Sequence, residues 1–454
     1  YSEDTYLTGE LGKQMVLGLQ AQGIVSTPKH FAVYSIPVGG RDENTRTDPH
    51  VAPREMRTLF LEPFRKAIQE GGALGVMSSY NDYDGVPITG SYHFLTQILR
   101  QEWGFKGYVV SDSEAVEFLH YKHDVANTRE DGAAMVINAG LNVRTNFSMP
   151  ENFIVPLRNA IRNGKVSVET IDMRVAEVLR VKFWMGLFDQ PYKGDTKQVN
   201  KVIRSDKHKE ISLQAALQSI VPLKNEGNLL PLSKETKKIA IIGPNADETN
   251  NLVCRYGPAN AVITSVFKGI KQYLPNADVQ YSKGCNIIDK YFPESELYNV
   301  PLDAEEQDGI DKAVELARQS DISILVLGGN EQTVREEYSR SDLNLAGRQQ
   351  ELLEAVYKTG KPVVLVLLDG RAATLNWANK YIPSIVHGWF PGEFTGQALA
   401  QVLFGDYNPG GKLAVTFPKS VGQIPYAFPF KPGADSKGRN RIGFCCATVF
   451  TRTK

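Results

Sequence analysis

Cysteine is scarce in this chain: Cys254, Cys285, Cys445 and Cys446 are all there is in 454 residues. Their spacing fits no zinc site, and the adjacent pair rules out a dense disulfide framework, so cysteine usage does not fix the redox compartment. A surplus of either charge is also missing. Lys+Arg and Asp+Glu both number 51, so no basic face is implied, and neither nucleic acid nor an anionic membrane is an expected partner. No apolar run is long enough to span a bilayer. Nucleotide signatures are absent too: GPNAD (243–247) and LGGN (327–330) follow apolar runs, but neither completes GxGxxG or GxxxxGK[ST]. NDYDG (81–85) lacks the glutamate of a calcium loop and reads as a turn. No metal and no cofactor is expected. The first residue is Tyr1 and no signal-like apolar region follows, so the natural start is expected to lie outside this chain.

The chain does hold enough apolar residues, 42%, for ordinary globular packing, and at this length more than one core is expected. From residue 1 to about 190 one theme repeats. A short apolar run ends in polar residues and a helix follows: GIVSTPKHF (23–31), GALGVMSSYN (72–81), GYVVSDS (107–113) and, more weakly, NAGLNVRTN (138–146). PREMRTLFLEPFRKAIQEG places Met56, Leu59, Phe60, Phe64, Ala67 and Ile68 on one helical face, and Gly71 stops it. Alternating strands and helices predict an α/β fold with a parallel sheet. Function in such sheets gathers at the carboxyl ends of the strands, where Lys29, His30, Tyr80 and Asp112 fall. The polar stretch 191–205 has no clear period. After it KKIAIIGPNAD, DISILVLGGN and KPVVLVLLDG are core strands of a second sheet covered by helices on both faces. The domain limits read as 1–190, a linker at 191–215, 216–432, and an irregular tail at 433–454.

Three places can carry chemistry. Asp112 ends a buried strand in a small-residue turn, as suits a nucleophile or a stabiliser of positive charge, although a helix N-cap fits the same residue. The loop 328–345 holds Glu331, Glu336 and Glu337, ordinarily just a solvated acidic loop, but a source of the second carboxylate if it reaches the Asp112 face. Lys29, His30, Arg41 and Asp42 suit recognition of a polyhydroxylated ligand; His30 taken alone reads as a core histidine, and Arg41 as one side of an ordinary ion pair.

Together these stretches resemble family 3 glycoside hydrolases, from SEDTYLTGE to about residue 430. The resemblance is carried by KHFAVY…GGRDEN, GVMSSYNDYDGVP, GYVVSDSEAV, MGLFDQPY, VPLKNEGNLLPL, IAIIGPNAD, REEYSRSDLNLAGRQQELLEAV, VVLVLLDGRA and WFPGEFTGQALAQVLFGDYNPGGKL, in the family's order. It implies the C-terminal part of a (β/α)₈ TIM barrel, 1–190, followed by an α/β/α sandwich, 216–432. It also implies an exo-acting β-glycosidase that retains anomeric configuration. Asp112 is then the nucleophile. Lys29, His30 and Arg41 bind sugar hydroxyls, and Met77 and Tyr80 line the same subsite. The family's acid/base glutamate stands four residues before an arginine, and Arg340 selects Glu336 over Glu337 and Glu331. The single-domain branch uses a histidine in the loop after the Lys-His strand. AVYSIPVGGRD has none, which excludes an N-acetylglucosaminidase or phosphorylase of that type.

The implied substrates are oligosaccharides or aryl and alkyl glycosides from plant polysaccharide breakdown, and by the resemblance the protein is periplasmic or extracellular rather than cytoplasmic. Many glucose-specific members carry a tryptophan after the nucleophile. Here Ser113 follows, and SDSEAV resembles the SDCDAV of family β-xylosidases. A difference of one CH₂OH discriminates by only ~1–3 kcal/mol. β-Glucosidase is placed slightly ahead of β-xylosidase, with or without α-L-arabinosidase activity, or a dual enzyme. A non-catalytic sugar-binding remnant is the competing class, and retention of both Asp112 and Glu336 argues against it. Four strand units are half of a barrel, with exposed edges and apolar faces. This chain alone is therefore expected to be unstable or to aggregate, and a soluble 454-residue monomer with a single cooperative melting transition would refute that expectation.

Overall fold

Two compact units divide the chain, Tyr1–Gly194 and Asp195–Lys454. The computed structural model describes residues 1–35, 47–191, 194–253, 256–258, 261–336 and 338–424. The tail read as irregular, 433–454, lies outside them.

In the first unit, α1 (Thr5–Ala21) opens on Asp4, whose carboxylate accepts the N–H groups of Tyr6 at 2.9 Å and Leu7 at 3.1 Å. Those donors have no partner within the helix, so the cap satisfies them. β1 (Gly75–Ser78) and β2 (Tyr108–Ser111) pair in parallel, Gly75 beside Tyr108 and Ser78 beside Ser111. Phe31 bridges in parallel to Ser78, and Val143 to Val110. All four apolar runs thus form neighbouring parallel tracks in chain order. Parallel direction puts their carboxyl ends on one edge, which is what gathers Lys29, His30, Tyr80 and Asp112 there. Helices α2 (Arg129–Ala139), α3 (Glu151–Arg162) and α4 (Val168–Trp184) follow. The core packs Phe31, Val76, Val109 and Leu141 of the tracks against Phe94, Leu99 and Val136.

The helical run at 53–70 departs from its expected face. Leu61 is buried although a 3.6-residue period leaves it off the stripe. At Met56–Phe60 the chain winds in wide turns, with Leu61 N–H donating to Met56 O at 2.9 Å across five residues. The extra residue in the turn rotates Leu61 inward. Gly71 ends the run as expected.

In the second unit, the stretch read as linker contains most of a helix, α5 (Asp206–Ser219), capped by Ser205 and packed through Ala216 and Leu217. Six strands follow: β3 (Val221–Asn225), β4 (Lys238–Ile242), β5 (Asp278–Ser282), β6 (Ile322–Gly328), β7 (Val363–Leu368) and β8 (Ser384–His387). Their order across the sheet is β3-β8-β7-β6-β4-β5, all parallel except β3 against β8. Successive side chains of a strand point to opposite faces, and both faces are covered. Ile239, Ile241, Ile324, Val326, Val364 and Val366 pack with α5, α6 (Val266–Tyr273) and α9 (Thr395–Leu403). Ala240, Ile242, Leu325, Leu327, Leu365 and Leu367 pack with α7 (Ala304–Gln319) and α8 (Gln349–Tyr357). Covering both faces explains why the strands read as continuous apolar runs. Where α6 crosses α9, a Cβ on Gly269 would stand 2.3 Å from the Gly396 carbonyl carbon, so the two backbones touch only because neither residue has a side chain.

One side chain in this sheet is costly. His387 ends β8 fully buried, its ring 4.1 Å from Trp389 and 5.3 Å from Phe417. Neither ring nitrogen has a hydrogen-bond partner among the described residues. Burial pushes its pKa from 6.5 down to about 3. Because the folded value lies below the unfolded one, the fold favours the neutral ring, and stability falls as pH drops below 6.5 toward 3. Urea unfolding should therefore find His387→Leu relieved, relative to the parent, of about 2–3 kcal/mol of the loss between pH 7 and pH 4.5. An unchanged gap between the two proteins would show that the ring is not held neutral.

Candidate active site

β2 delivers Asp112 directly: Ser111 is its last residue and Asp112 the next. The turn is tied to the fourth track by Ser111 Oγ accepting Thr145 N–H at 2.9 Å and by Glu114 N–H donating to Thr145 O at 3.1 Å. Asp112 Oδ2 stands 3.1 Å from His30 Nε2, and Oδ1 accepts the Ser113 N–H at 2.8 Å. The Tyr80 hydroxyl donates to Ser113 O at 2.8 Å and also reaches the Asp112 carboxylate. Burial pushes the Asp112 carboxyl up, but the donors His30, Ser113 N–H and Tyr80 outweigh it and hold the pKa below the ordinary aspartate value. The result is a carboxylate that stays charged although only 14% of its side chain is exposed.

His30 is not the core histidine that its neighbourhood in sequence suggested. Its ring is partly exposed and lies on Asp112, with an edge on Tyr34 at 5.4 Å. Tyr34 meets Tyr80 at 6.1 Å, and Tyr80 meets Phe118 at 5.4 Å. Tyr80 is buried, with its hydroxyl tied to the Asp112 turn. Lys29 is exposed beside His30, and Met77 is partly buried on β1, its carbonyl accepting Phe31 N–H at 2.7 Å. Lys29, His30, Met77, Tyr80 and Asp112 thus share one edge of the first unit. Arg41 lies outside the described residues, and so does Glu337.

The loop that follows β6 in the second unit is locked at its start. Gly328 has φ 126°, and a Cβ there would stand 2.3 Å from Leu368 O, so only glycine fits. The Gln349 amide accepts Gly328 N–H at 2.8 Å and donates to Gly328 O at 2.9 Å. Asn245 Nδ2 donates to Gly329 O at 2.9 Å. Further along, Glu331 lies 3.7 Å from Arg335 Nη1, and Glu336 Oε2 accepts the Tyr256 hydroxyl at 2.5 Å. Arg340, the residue whose spacing selects Glu336, is itself ion-paired with Glu296. Tyr256 was not legible beforehand: it lies 80 residues upstream in a stretch without period. Asp369, buried just past β7, accepts Arg371 N–H at 3.0 Å. Burial pushes it up to about 6 against the opposing pull of Arg371 and Arg340.

Two family models match this chain. The glycosyl hydrolase family 3 N-terminal domain covers residues 1–181, and the family's C-terminal domain covers residues 220–444. The chain belongs to glycosyl hydrolase family 3. The fold of this family 3 chain is the C-terminal part of a TIM barrel followed by an α/β/α sandwich. Among its relatives are a β-xylosidase of Formosa agariphila, 35% identical over 98% of this chain and 62% of the relative, and a periplasmic β-glucosidase of Salmonella typhimurium, 34% identical over 97% and 60%. Solved structures similar to it include a β-glucosidase from Erythrobacter marinus (TM-score 0.84, 35% identity, 93% of this chain and 58% of that one). Another is the β-glucosidase of Listeria innocua in complex with isofagomine (TM-score 0.84, 28% identity, 96% and 59%). The chain therefore spans roughly three fifths of the length of the relatives it matches, 62% and 60% for the first two. Among the described residues no group of three or more His, Cys, Asp and Glu could hold a metal, and no helix is long and apolar enough to cross a membrane.

The geometry around Asp112 makes a direct prediction. The His30 contact lowers the pKa of Asp112, so His30→Ala should raise it. Carboxyl carbon NMR titration, with Asp112→Asn to assign the signal, reads this, and an unmoved titration would mean that His30 does not hold the charge.

Proposed function

We propose that this chain carries the reacting groups of an exo-acting, retaining β-glycosidase that removes terminal β-D-glucosyl residues from oligosaccharides or β-glucosides. The observation that carries the reading is the Asp112 carboxylate, kept ionised by converging donors at the carboxyl ends of parallel strands and set within the family's GYVVSDSEAV motif. Retention needs two carboxyl groups about 5–5.5 Å apart, one attacking and one donating a proton. Asp112 attacks the anomeric carbon and forms an ester to the sugar. Glu336 gives its proton to the leaving oxygen, then takes one from the water that releases the sugar. His30 has two tasks, to hold the charge of Asp112 and, with Lys29, Met77 and Arg41, to bind the sugar bound there. The nucleophile lies in the first unit, Tyr1–Gly194, and the acid/base in the second, Asp195–Lys454.

β-Xylosidase is the second reading, and Ser113 favours it: a small residue follows the nucleophile in SDSEAV. The Formosa agariphila relative is a β-xylosidase and the Salmonella typhimurium relative a periplasmic β-glucosidase. Together they support this range of substrates, and the second supports a site of action outside the cytoplasm.

Incubation with an activated 2-deoxy-2-fluoro-β-glucoside, and separately with the xyloside, followed by peptide mass spectrometry, tests the reading. The expected adduct is on Asp112, with the glucoside labelling faster. Faster labelling by the xyloside reverses the order of substrates, and an adduct on another carboxylate displaces Asp112. Glu336→Gln should lower turnover of glycosides with poor leaving groups by about 10²–10⁴-fold.

A further inference from the structure

Glu336 sits in a long loop, eight residues past the end of β6 at Gly328, and the sheet does not place it. What fixes the segment around it is a clamp on Tyr338. Arg371 Nη2 donates to the Tyr338 carbonyl from the end of the neighbouring strand β7. The Arg335 guanidinium lies 3.8 Å from the centre of the Tyr338 ring and 3.7 Å from Glu331. Tyr338 N–H donates to Arg335 O at 3.2 Å, closing the turn that contains Glu336. The Arg371 backbone is in turn held by the buried Asp369 carboxyl at 3.0 Å. On the far side, Glu296 grips Arg340 and accepts from Ser341 N–H at 3.1 Å and Ser341 Oγ at 2.9 Å. Glu336 therefore stands between contacts at Arg335 and Tyr338, with Arg340 and Ser341 held beyond them, while its carboxylate accepts the Tyr256 hydroxyl.

We infer that Arg371 is a positioning residue for the acid/base, acting through the Tyr338 carbonyl and the Arg335 stack rather than by touching substrate. This deepens the reading of Glu336 as acid/base and rests on it. A guanidinium suits the task because it reaches a carbonyl from the turn three residues past β7 while staying charged at any working pH. Loss of the clamp lets the loop shift, and a displaced general acid harms the step that needs its proton.

The test compares a 2,4-dinitrophenyl glycoside, whose leaving group departs without a proton, with a disaccharide, whose leaving group requires one. Arg371→Met is expected to lower kcat/KM, which reports cleavage of the glycosidic bond, for the disaccharide at least about tenfold more than for the dinitrophenyl glycoside, a fraction of the 10²–10⁴ that a general acid supplies. Arg371→Lys should recover part of it. Hydrogen exchange, which needs no turnover, should speed up in Arg371→Met for peptides from 330–345 and stay unchanged in β6. Equal losses of kcat/KM on both substrates, or unchanged exchange in the loop, overturn the inference. If Glu336→Gln itself lacks the leaving-group signature, the acid/base reading fails. If Glu336→Gln has the signature and Arg371→Met does not, the inference alone fails.

Discussion

A carboxylate withdrawn from water keeps its charge only where donors converge on it. In the first unit those donors come from separate tracks: His30 from the first, Tyr80 from the end of β1, and the Ser113 N–H from the turn after β2. No single segment could bring them together. Parallel pairing in chain order does, because it stacks the carboxyl ends of consecutive strands at 4.7–4.9 Å spacing along one edge. The chain-order array of Phe31, β1, β2 and Val143 is therefore the constraint on which the charge of Asp112 depends, and the buried aromatic and aliphatic core beneath it serves that register.

The second unit solves a different problem. Asp112 follows its strand without a gap, whereas Glu336 stands eight residues past the end of β6. The chain compensates with polar anchors at intervals: Gln349 and Asn245 at the base of the loop, Arg371 and Arg335 at Tyr338, Glu296 at Arg340. All of these anchors but Arg335 are side chains from outside the loop, so elements around the loop position it. In the roles proposed for Glu336 and Asp112, an acid that must both give and recover a proton tolerates this better than a nucleophile, which must meet one carbon along one line.

How much of this was legible follows from the range of each interaction. The strands are written locally, since residues buried on both faces leave continuous apolar runs such as DISILVLGG and KPVVLVLL; of the four units expected in the first 190 residues, two form β1 and β2 and two meet them only through single bridges at Phe31 and Val143. Asp112 was legible from position, one residue beyond such a run. His30 read as a core histidine because its partner is 82 residues away and only the fold joins them. Leu61 was misplaced because wide turns break the 3.6-residue period on which the face was drawn. Helix α5 was hidden within polar sequence, with only Ala216 and Leu217 fully buried. Glu336 could be singled out from the other acids of its loop only by resemblance. Its neighbours in space, Tyr256 and the Tyr338 clamp, leave no periodic trace.

The buried ionisable groups of the sheet sharpen the point. Asp369, raised to about 6, favours the fold while protonated, and that stability is lost as pH rises through 6. At neutral pH the burial of its charge costs about 3 kcal/mol relative to an unperturbed aspartate. A leucine at that place would remove the cost and pack as well. It could not accept the Arg371 N–H, and the turn that aims the Arg371 guanidinium at Tyr338 would lose its fixed point. His387, at the end of the adjacent strand β8, drifts in the opposite direction with pH, so the two partly offset each other across the acid range. Stability is thus given up at strand ends, where the sheet stops and the loops begin. The interior rungs of the same strands, Val364 to Leu367 among them, carry no such compromise.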